Sequence, residues 1–259
     1  CPGRRTGSEG DNFLFAAGGT SSLINFDSVT VVIPVYNDVQ ALKDAVPKVI
    51  PILSSLTSQY ELIIAEDAST DGSAECAADY ARNNPNIIHL HRNERLGRGS
   101  ALTLAASKAR GEIFCYFDVD MATDISHLEE LLKHIREGFD IATGSRLLPE
   151  SRIIRSTGRE IKSRGYNFLV RLFLRSTLSD HQCGFKAFSI SSIRMLLKET
   201  TDTHWFWDTE ILVRAQKKGL KIAEIPVVWT EGQGTTVRSG DIWKMGRAIL
   251  RLWWQLYVS

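Results

Sequence analysis

The sequence predicts an α/β fold built on a mostly parallel sheet. Residues 29–33 are β-branched and almost entirely apolar, which is typical of a strand buried on both faces. Similar short apolar runs alternate with stretches of helical periodicity as far as residue 117. Polar and acidic residues directly follow these runs, at the sheet edge where ligands of parallel sheets bind. We therefore expect right-handed crossovers and a ligand site at the carboxyl ends of the strands.

Each element is predicted from its own pattern. Strands are predicted from short apolar or β-branched runs bounded by turn residues, and helices from apolar residues at helical spacing. Pro34 and Asn37 end the first strand. The predicted strands are residues 29–33, 61–65, 87–90, 112–117, 139–144 and 221–229. The predicted helices are residues 39–56, 73–82, 99–109, 128–137, 163–175, 190–197 and 208–217.

The composition excludes several classes of protein. The 259 residues carry 31 Lys+Arg and 30 Asp+Glu, a net charge of +1, which gives no basic domain of the kind that binds nucleic acid. The four cysteines form no C-x-x-C pair, which favours a reducing compartment. No window reaches the ~20 apolar residues of a membrane span, and the N-terminus lacks the apolar run of a signal peptide.

The chain divides into three parts. Residues 1–27 are rich in Gly, Ser, Thr and Arg and are predicted to be a flexible leader. Residues 28–239 show no internal repeat or linker, so one α/β domain is expected. Residues 240–259 are predicted to form a separate amphipathic helix.

The strand at 112–117 ends in two carboxylates, Asp118 and Asp120. At a strand end both can approach one hard cation, and Mg²⁺ or Mn²⁺ is typically held by one or two protein carboxylates. The alternatives are solvated turn aspartates or a helix N-cap, since Asp-x-Asp alone is common.

A second acidic cluster lies at residues 66–73 and also follows a strand. Its carboxylates suit hydrogen bonding to a base or ribose, whereas helix capping by Asp71 or Ser73 requires no ligand. Both clusters and the segment 34–38 are predicted at the same sheet edge, which favours one shared ligand site.

A basic, glycine-containing loop at residues 92–99 precedes a predicted helix. Such a loop can bind pyrophosphate through its backbone and the helix N-terminus, although surface solvation explains its arginines equally well. Further cations that could pair with phosphate are Arg146, Arg159, Arg164 and Arg238.

Two other segments, 180–186 and 205–210, are unusual in composition. Asp208 and Glu210 follow an aromatic cluster, where partial desolvation can raise the pKa of a carboxylate to a value that suits a general base. The simpler alternative is that Asp208 is a helix N-cap. Cys183 lacks the His/Asn pattern of a nucleophile and is predicted to be a packed thiol.

Taken together, these motifs resemble those of the family 2 glycosyltransferases of GT-A fold, a Rossmann-like mixed sheet flanked by helices. The resemblance covers about residues 29–247, and within the family the chain is similar to the polyprenyl-phosphate branch: dolichyl-phosphate mannose synthases and dolichyl-phosphate β-glucosyltransferases. Residues 182–186, 205–210 and 228–231 look closer to the glucosyltransferases. The matching segments, in order, are 32–38, 66–73, 117–120, 144–146, 180–186 and 205–210.

The resemblance implies an inverting enzyme that moves a hexose from UDP-glucose or GDP-mannose to a polyprenyl (dolichyl or undecaprenyl) phosphate, with Mg²⁺ or Mn²⁺ as cofactor. Asp118 and Asp120 would hold the metal. The implied catalytic residues are Asp118, Asp120, Arg146, Asp208 and Glu210. The implied substrate-binding residues are Pro34, Tyr36, Asp38, Asp67, Arg98, Asp118, Arg146, Arg159, Asp180 and Arg238.

Two positions depart from the family's pattern. Ala122 stands where some members have a Gln that ligates the metal, which predicts a more hydrated metal shell. Glu66 replaces the commoner Asp at the start of the second motif, which leaves its hydrogen-bonding role open.

The acceptor decides the mechanism. A lipid phosphate is already anionic, so the enzyme's task is positioning and charge neutralisation, with Asp208 or Glu210 orienting a sugar or an arginine. A glycan or other soluble acceptor would instead require one of these two residues as a base. A catalytically silent nucleotide-binding module is the alternative of another class, and the Asp118/Asp120 pair argues against it.

The C-terminal helix supports a lipid acceptor, because a basic, Trp-rich amphipathic helix suits a membrane interface. Packing on the domain's own core is the alternative. We expect a location at the cytoplasmic face of a membrane, peripheral or anchored through a segment outside this sequence. The expected partners are the nucleotide sugar, the polyprenyl phosphate and the membrane surface, without nucleic acid. The apolar stripe comprises Ile242, Met245, Ile249, Leu252, Trp253 and Leu256, and the polar side Lys244, Arg247, Arg251 and Gln255.

Overall fold

A computed structural model of the chain describes residues 28–231 and 239–258. The strands are β1 (Val29–Val35), β2 (Tyr60–Glu66), β3 (Ile87–Leu90), β4 (Ile113–Phe117), β5 (Ile141–Ser145), β6 (Arg152–Ile154), β7 (Phe185–Ser189), β8 (Ile222–Pro226) and β9 (Val228–Thr230). The helices are α1 (Val39–Leu56), α2 (Ser73–Asn83), α3 (Arg98–Lys108), α4 (Leu128–Arg136), α5 (Thr157–Leu174), α6 (Ile190–Leu196), α7 (Trp207–Lys217) and α8 (Ser239–Tyr257), with a 3-10 turn at Ile125–His127.

Seven strands form one mixed sheet in the order β3-β2-β1-β4-β7-β5-β8. β1 to β4 are mutually parallel, β7 is antiparallel to both of its neighbours, and β5 and β8 are parallel to each other. Because β7 reverses direction, β5 runs the same way as β4. The carboxyl ends of β1, β2, β4, β5 and β8 therefore reach one edge of the sheet, and the loop before β7 reaches it too. β6 and β9 pair separately.

Helices cover both faces of the sheet, which explains why its strands are apolar on both sides. In β1, Val31 and Ile33 belong to the core cluster packed under α1 and α4, whereas Val32 belongs to the cluster under α3, α6 and α7. Successive strand residues point to opposite faces, so this alternation is what a doubly covered strand requires. The predicted fold class is confirmed.

A third apolar cluster joins α5 and α8 to α7. Val170 and Leu174 of α5 pack with Ile249 and Leu252 of α8 around Phe206. The inner side of the predicted apolar stripe on the C-terminal helix is thus buried against the domain. Both helices also expose large apolar side chains: Ile161, Phe168, Leu169, Leu172 and Phe173 on α5, and Leu250, Trp253 and Trp254 on α8.

Several boundaries differ from the sequence prediction. The strands β6 and β7 were not predicted, and the predicted strand at 221–229 is interrupted at Val227, giving β8 and β9. The helix α5 begins at Thr157, six residues before its predicted start at 163. The predicted leader at 1–27 lies outside the described residues. Among the helices that are described, none is long and apolar enough to cross a bilayer.

Candidate active site

The three segments predicted to share a sheet edge do meet there. The Asn37 side chain after β1 accepts a hydrogen bond from the Thr70 amide at 2.7 Å, and Asp71 accepts one from the Val39 amide at 2.9 Å. Asn37 has a positive φ of 51°, a conformation that Asn tolerates better than most residues. These bonds join the loop after β1 to the loop after β2, and so fix one wall of the site.

Asp38 is the N-cap of α1, and Asp71 lies just before Gly72, the N-cap of α2. Asp38 accepts from the Ala41 amide at the start of α1, and Asp71 accepts from the amide and hydroxyl of Ser73 at the start of α2. Burial alone would raise the pKa of Asp71, but the hydrogen bonds from Ser73 and Val39 outweigh it and lower that pKa. The N-cap of α2 is therefore Gly72 and not the predicted Asp71 or Ser73, although Asp71 does accept hydrogen bonds from Ser73 in the first turn.

The predicted nucleoside residues line the same wall. Pro34 is buried within β1, while Tyr36 lies at the surface with the Arg95 guanidinium 3.6 Å from its ring centre. The buried Asp67 carboxylate accepts from the amides of Leu96 at 3.1 Å and Gly97 at 2.7 Å. Asp67 thus ties the basic loop to the end of β2.

Arg98 connects Asp118, which follows β4, to Asp208 on α7. Its guanidinium contacts Asp118 Oδ1 at 2.6 Å through Nη2 and Asp208 Oδ2 at 2.5 Å through Nη1. Burial would lower the pKa of Arg98, but these two carboxylates raise it well above its usual value, so the charge is permanent. The structure brings Arg98, Asp118 and Asp208 together, as a common site requires.

Asp208 also neutralises a buried lysine. Lys186 on β7 is fully buried, and its Nζ lies 2.8 Å from Asp208 Oδ1, to which the Tyr116 hydroxyl also donates. Burial would raise the pKa of Asp208, but the charges of Arg98 and Lys186 hold it below its usual value. Asp208 is therefore an ionised anchor with both oxygens engaged.

Asp118 and Asp120 follow β4 and are the residues predicted to hold a divalent cation. Burial, and next the negative charge of Asp118, raise the pKa of Asp120. A Cβ at position 184 would collide with the Asp118 carboxylate, so this close approach requires glycine. Two carboxylates form an oxygen-only donor set, which is the type that suits Mg²⁺ or Mn²⁺.

Arg146, after β5, forms a bidentate pair with Asp180. Its Nε and Nη2 lie 2.7 Å and 3.0 Å from the two carboxylate oxygens, and Asp180 is fully buried. Burial alone would raise the pKa of Asp180, but the Arg146 guanidinium and backbone amides hold it well below its usual range. Asp180 therefore orients Arg146 through both of its carboxylate oxygens.

The other predicted cations are more dispersed. Arg159 pairs with Glu231, whose second oxygen accepts from the Ser156 amide at 3.0 Å. Arg164 pairs with Glu160 at 2.8 Å, one helical turn away on α5. The predicted phosphate ligand Arg238 lies outside the described residues.

Glu210 faces away from these charges. Its buried carboxylate accepts from the amides of Thr201 and Asp202 and contacts Arg214 at 2.8 Å. Cys183 is also buried, and burial raises the pKa of its thiol to about 11. The thiol is thus protonated at neutral pH, which agrees with the packed-thiol prediction.

Sequence reasoning missed several buried donors without partners, among them two nitrogens of Arg155, between β6 and α5. Two guanidinium nitrogens of Arg155 and the hydroxyls of Ser145 and Ser163 are buried and have no hydrogen-bond partner among the described residues. Burial, and next the charge of Arg146, lower the pKa of Arg155, whereas the carboxylates of Glu160 and Asp180 act in the opposite direction. Nothing in the local sequence marks Arg155, because its charged neighbours follow β5 or lie on α5. Buried donors without partners are costly, so water or a ligand is expected to satisfy them.

The sheet edge therefore carries the Asp118/Asp120 carboxylates, the buried Arg98 bridge and the Arg146–Asp180 pair, with buried unpartnered nitrogens on Arg155. Comparison with known proteins gives the class. Residues 30–197 match the glycosyl transferase family 2 domain, and the chain belongs to that family and is a glycosyltransferase.

Relatives agree with this assignment, and solved structures share the fold. The chain is 48% identical over 237 residues to glycosyltransferase AglD of Haloferax volcanii, covering 89% of the chain but only 38% of AglD. It is 31% identical over 241 residues to the dolichyl-phosphate beta-glucosyltransferase of Drosophila melanogaster, covering 87% of the chain and 74% of that protein. The fold matches glucosyl-3-phosphoglycerate synthase of Mycobacterium tuberculosis, crystallised with Mn²⁺ and UDP, with a TM-score of 0.65 at 17% identity over 88% of the chain and 79% of that protein.

Proposed function

We propose that the chain transfers a hexose, with inversion, from a nucleotide-diphosphate sugar to the phosphate of a polyprenyl lipid. Its relatives include dolichyl-phosphate beta-glucosyltransferases, whose name states this acceptor class. The chain spans 38% of the length of AglD. We therefore propose this activity for the described domain, and the proposal does not depend on what full-length AglD does.

The pocket around Arg155 carries this proposal. It presents buried, unpartnered guanidinium and hydroxyl donors, which suit a phosphate. Ser163, whose buried hydroxyl also lacks a partner among the described residues, lies on α5, and the same helix exposes Ile161, Phe168 and Leu172 to solvent. The buried donors suit the phosphate of a lipid phosphate, and the exposed apolar residues of α5 suit its hydrocarbon chain.

The ion pairs of the site favour a phosphate acceptor over a sugar hydroxyl. A hydroxyl acceptor needs a general base within reach of its proton. Both oxygens of Asp208 are engaged by Arg98, Lys186 and Tyr116, and Glu210 is bound to a neighbouring loop and Arg214. A lipid phosphate needs no such base, because its oxygen is already ionised at neutral pH.

Charge neutralisation is then the main task of the protein. Asp118 and Asp120 would hold the divalent ion, which supplies Lewis-acid stabilisation of the departing diphosphate. Arg98 holds Asp118 and Asp208 in place on the donor side, and Arg146 and Arg155 would offset the charge of the acceptor phosphate. Holding two anionic substrates in line is the step that this arrangement supports.

We also propose that α5 and α8 face the membrane. Their exposed apolar side chains, named above, are accompanied by exposed basic residues, Lys162 and Arg171 on α5 and Arg247 on α8. Such a surface suits an interface of acyl chains and anionic headgroups. A peripheral position at the cytoplasmic face would bring the Arg155 pocket close to its lipid.

The first experiment measures transfer from radiolabelled UDP-glucose and GDP-mannose to a short polyprenyl phosphate, with Mg²⁺, Mn²⁺ or chelator. We expect chelator-sensitive label in the lipid phase with one donor. Label in a glycan acceptor only would establish the alternative acceptor class. Metal-dependent UDP binding without transfer to any acceptor would show a non-catalytic module.

An Arg155→Gln variant tests the acceptor pocket. We expect the KM for polyprenyl phosphate to rise at least about 10-fold with the donor KM nearly unchanged, since a charged hydrogen bond contributes about 1.5–3 kcal/mol. Arg82→Gln, on the exposed surface of α2, is the matched control and should change neither value. Equal effects of Arg155→Gln on both KM values would refute the assignment.

A further inference from the structure

A cluster of one carboxylate and two imidazoles lies at the outer end of the sheet, apart from the paired aspartates. Glu66 ends β2, and His89 and His91 lie on and just after β3. The parallel register pairs Ile64 with His89 and Ala65 with Leu90, so His91 is level with Glu66. Since residues two apart in a strand share a face, both imidazoles point the same way, toward the carboxylate.

The three side chains bring their ligand atoms close together. Glu66 Oε2 lies 2.6 Å from His91 Nδ1 and 4.0 Å from His89 Nε2, and all three ligand atoms lie within 4.8 Å of one another. The Glu66 carboxylate is fully buried and the His89 side chain is 14% exposed, whereas His91 is 47% exposed. The cluster is therefore enclosed on the inside and reachable from solvent beside His91.

His89 is the unexplained member of the cluster. Its Nε2 is buried and has no hydrogen-bond partner within residues 28–231 and 239–258. The 4.0 Å to Glu66 is too long for a hydrogen bond. A buried polar atom without a partner costs free energy, so we expect this nitrogen to bind a ligand.

We propose that Glu66, His89 and His91 bind a divalent ion of the Zn²⁺ type, in a site separate from Asp118 and Asp120. Two imidazole nitrogens and one carboxylate are donors that Zn²⁺ prefers, whereas the oxygen-only aspartate pair suits Mg²⁺ or Mn²⁺. Tetrahedral zinc holds its ligand atoms roughly 3.4 Å apart. The observed separations of 2.6 Å and 4.0 Å lie on either side of that value, so small side-chain movements suffice.

The ion would brace the nucleoside wall of the active site. The other oxygen of Glu66 accepts from the Ser69 amide, and the adjacent Asp67 holds the amides of Leu96 and Gly97. A cation bound to Glu66 and His91 would fasten the end of β3 to the end of β2, where both loops begin. Because such an ion binds the folded state, it should stabilise the protein in proportion to the logarithm of its concentration.

The test titrates metal-free protein with Co²⁺, a spectroscopic probe for zinc sites, and then with Zn²⁺. We expect one equivalent of Co²⁺ with the strong visible absorption of a low-coordinate nitrogen-ligated ion, which Zn²⁺ displaces. Asp120→Asn should retain this signal. His91→Asn and His89→Gln should weaken binding by more than about 100-fold, since even outer-shell changes cost 10–100-fold.

The controls separate a metal site from a simple ion pair. His134→Gln, on α4 and bonded to the Glu130 carbonyl, should bind Co²⁺ as the wild type does. Zn²⁺ should raise the thermal midpoint of the wild type and of Asp120→Asn, but not that of His91→Asn, whose fold is checked by circular dichroism without metal. Absence of the signal at 100 µM Co²⁺, taken as about the weakest binding of interest, or its survival in His91→Asn would overturn the proposal. Both readouts are independent of glycosyl transfer.

Discussion

Arg98 determines which oxygens of Asp118 and Asp120 are left to bind a metal ion. Its guanidinium occupies Asp118 Oδ1, so a metal ion would bind through the remaining oxygen of Asp118 and through Asp120. Asp120 accepts a hydrogen bond from the Ala122 amide at 3.1 Å and has no cationic partner within hydrogen-bond distance among the described residues. Asp120 is therefore the residue on which metal affinity should depend most strongly.

Asp120→Asn should reduce turnover at least about 100-fold, because metal-ion charge stabilisation contributes several kcal/mol. The pH dependence follows from the raised pKa of Asp120. A carboxylate must be ionised to bind metal, so Mn²⁺ affinity should fall as pH falls through this pKa, starting at a higher pH than for an ordinary Asp. Calorimetric titration with Mn²⁺ and UDP over a pH series measures both effects.

Asp79→Asn is the matched control, since Asp79 is exposed on α2 and pairs only with Arg82 among the described residues. It should leave Mn²⁺ affinity and its pH dependence unchanged. If Asp120→Asn bound Mn²⁺ and UDP with wild-type affinity, the assignment of the cation site would be wrong.

Among the elements, α8 packs on the domain with one side and exposes apolar residues on the other. Ile249 and Leu252 are buried against α5, while Trp253 and Trp254 remain exposed. Tyr257 donates to the Leu174 carbonyl at 2.9 Å, which fixes the end of α8 on α5. Removing the whole helix would therefore confuse loss of packing with loss of membrane contact, and single variants separate the two.

Leu252→Ala should lower the free energy of unfolding by about 2–5 kcal/mol, because it opens a cavity in the third apolar cluster. Trp254→Gln should change stability little but weaken binding to vesicles with anionic lipids, since Trp254 is 56% exposed. Urea unfolding and vesicle sedimentation measure the two quantities. Met195→Gln, an exposed apolar residue on α6, is the control and should bind vesicles normally. Equal vesicle binding by Trp254→Gln would place the contact elsewhere.

The sequence predicts strands where an apolar run ends in a turn, but it predicts neither the short, exposed β6 nor β7, which carries a buried charge. In β7, Lys186 interrupts the apolar pattern because it lies under the active site and pairs with Asp208. The position of Asp208 was predicted, but not its partners, since Lys186 and Arg98 lie 22 and 110 residues away along the chain. Arg155 was missed for the same reason. Motifs reveal which residues gather at a sheet edge, whereas ion pairing depends on tertiary contacts.

Over the whole molecule, the active site is also a junction of the fold. Asp208 on α7 neutralises Arg98 on α3 and Lys186 on β7, so one carboxylate joins the parallel N-terminal half of the sheet to its mixed C-terminal half. The match to the family domain ends at residue 197, before Asp208. Asp208, beyond the end of the family match, therefore supplies a counter-charge for Arg98 and Lys186 within it.

Asp208→Asn should lower the free energy of unfolding by about 3–5 kcal/mol, because it leaves the fully buried Lys186 without a counter-ion. A second substitution, Lys186→Met, removes that unpaired charge and leaves Arg98 with Asp118. The double variant should therefore be more stable than Asp208→Asn alone, although both lack the anchor for Arg98. Urea unfolding of the wild type, the two single variants and the double variant gives the coupling energy between the two sites. A double variant less stable than either single one would mean that packing, and not charge, holds this junction together.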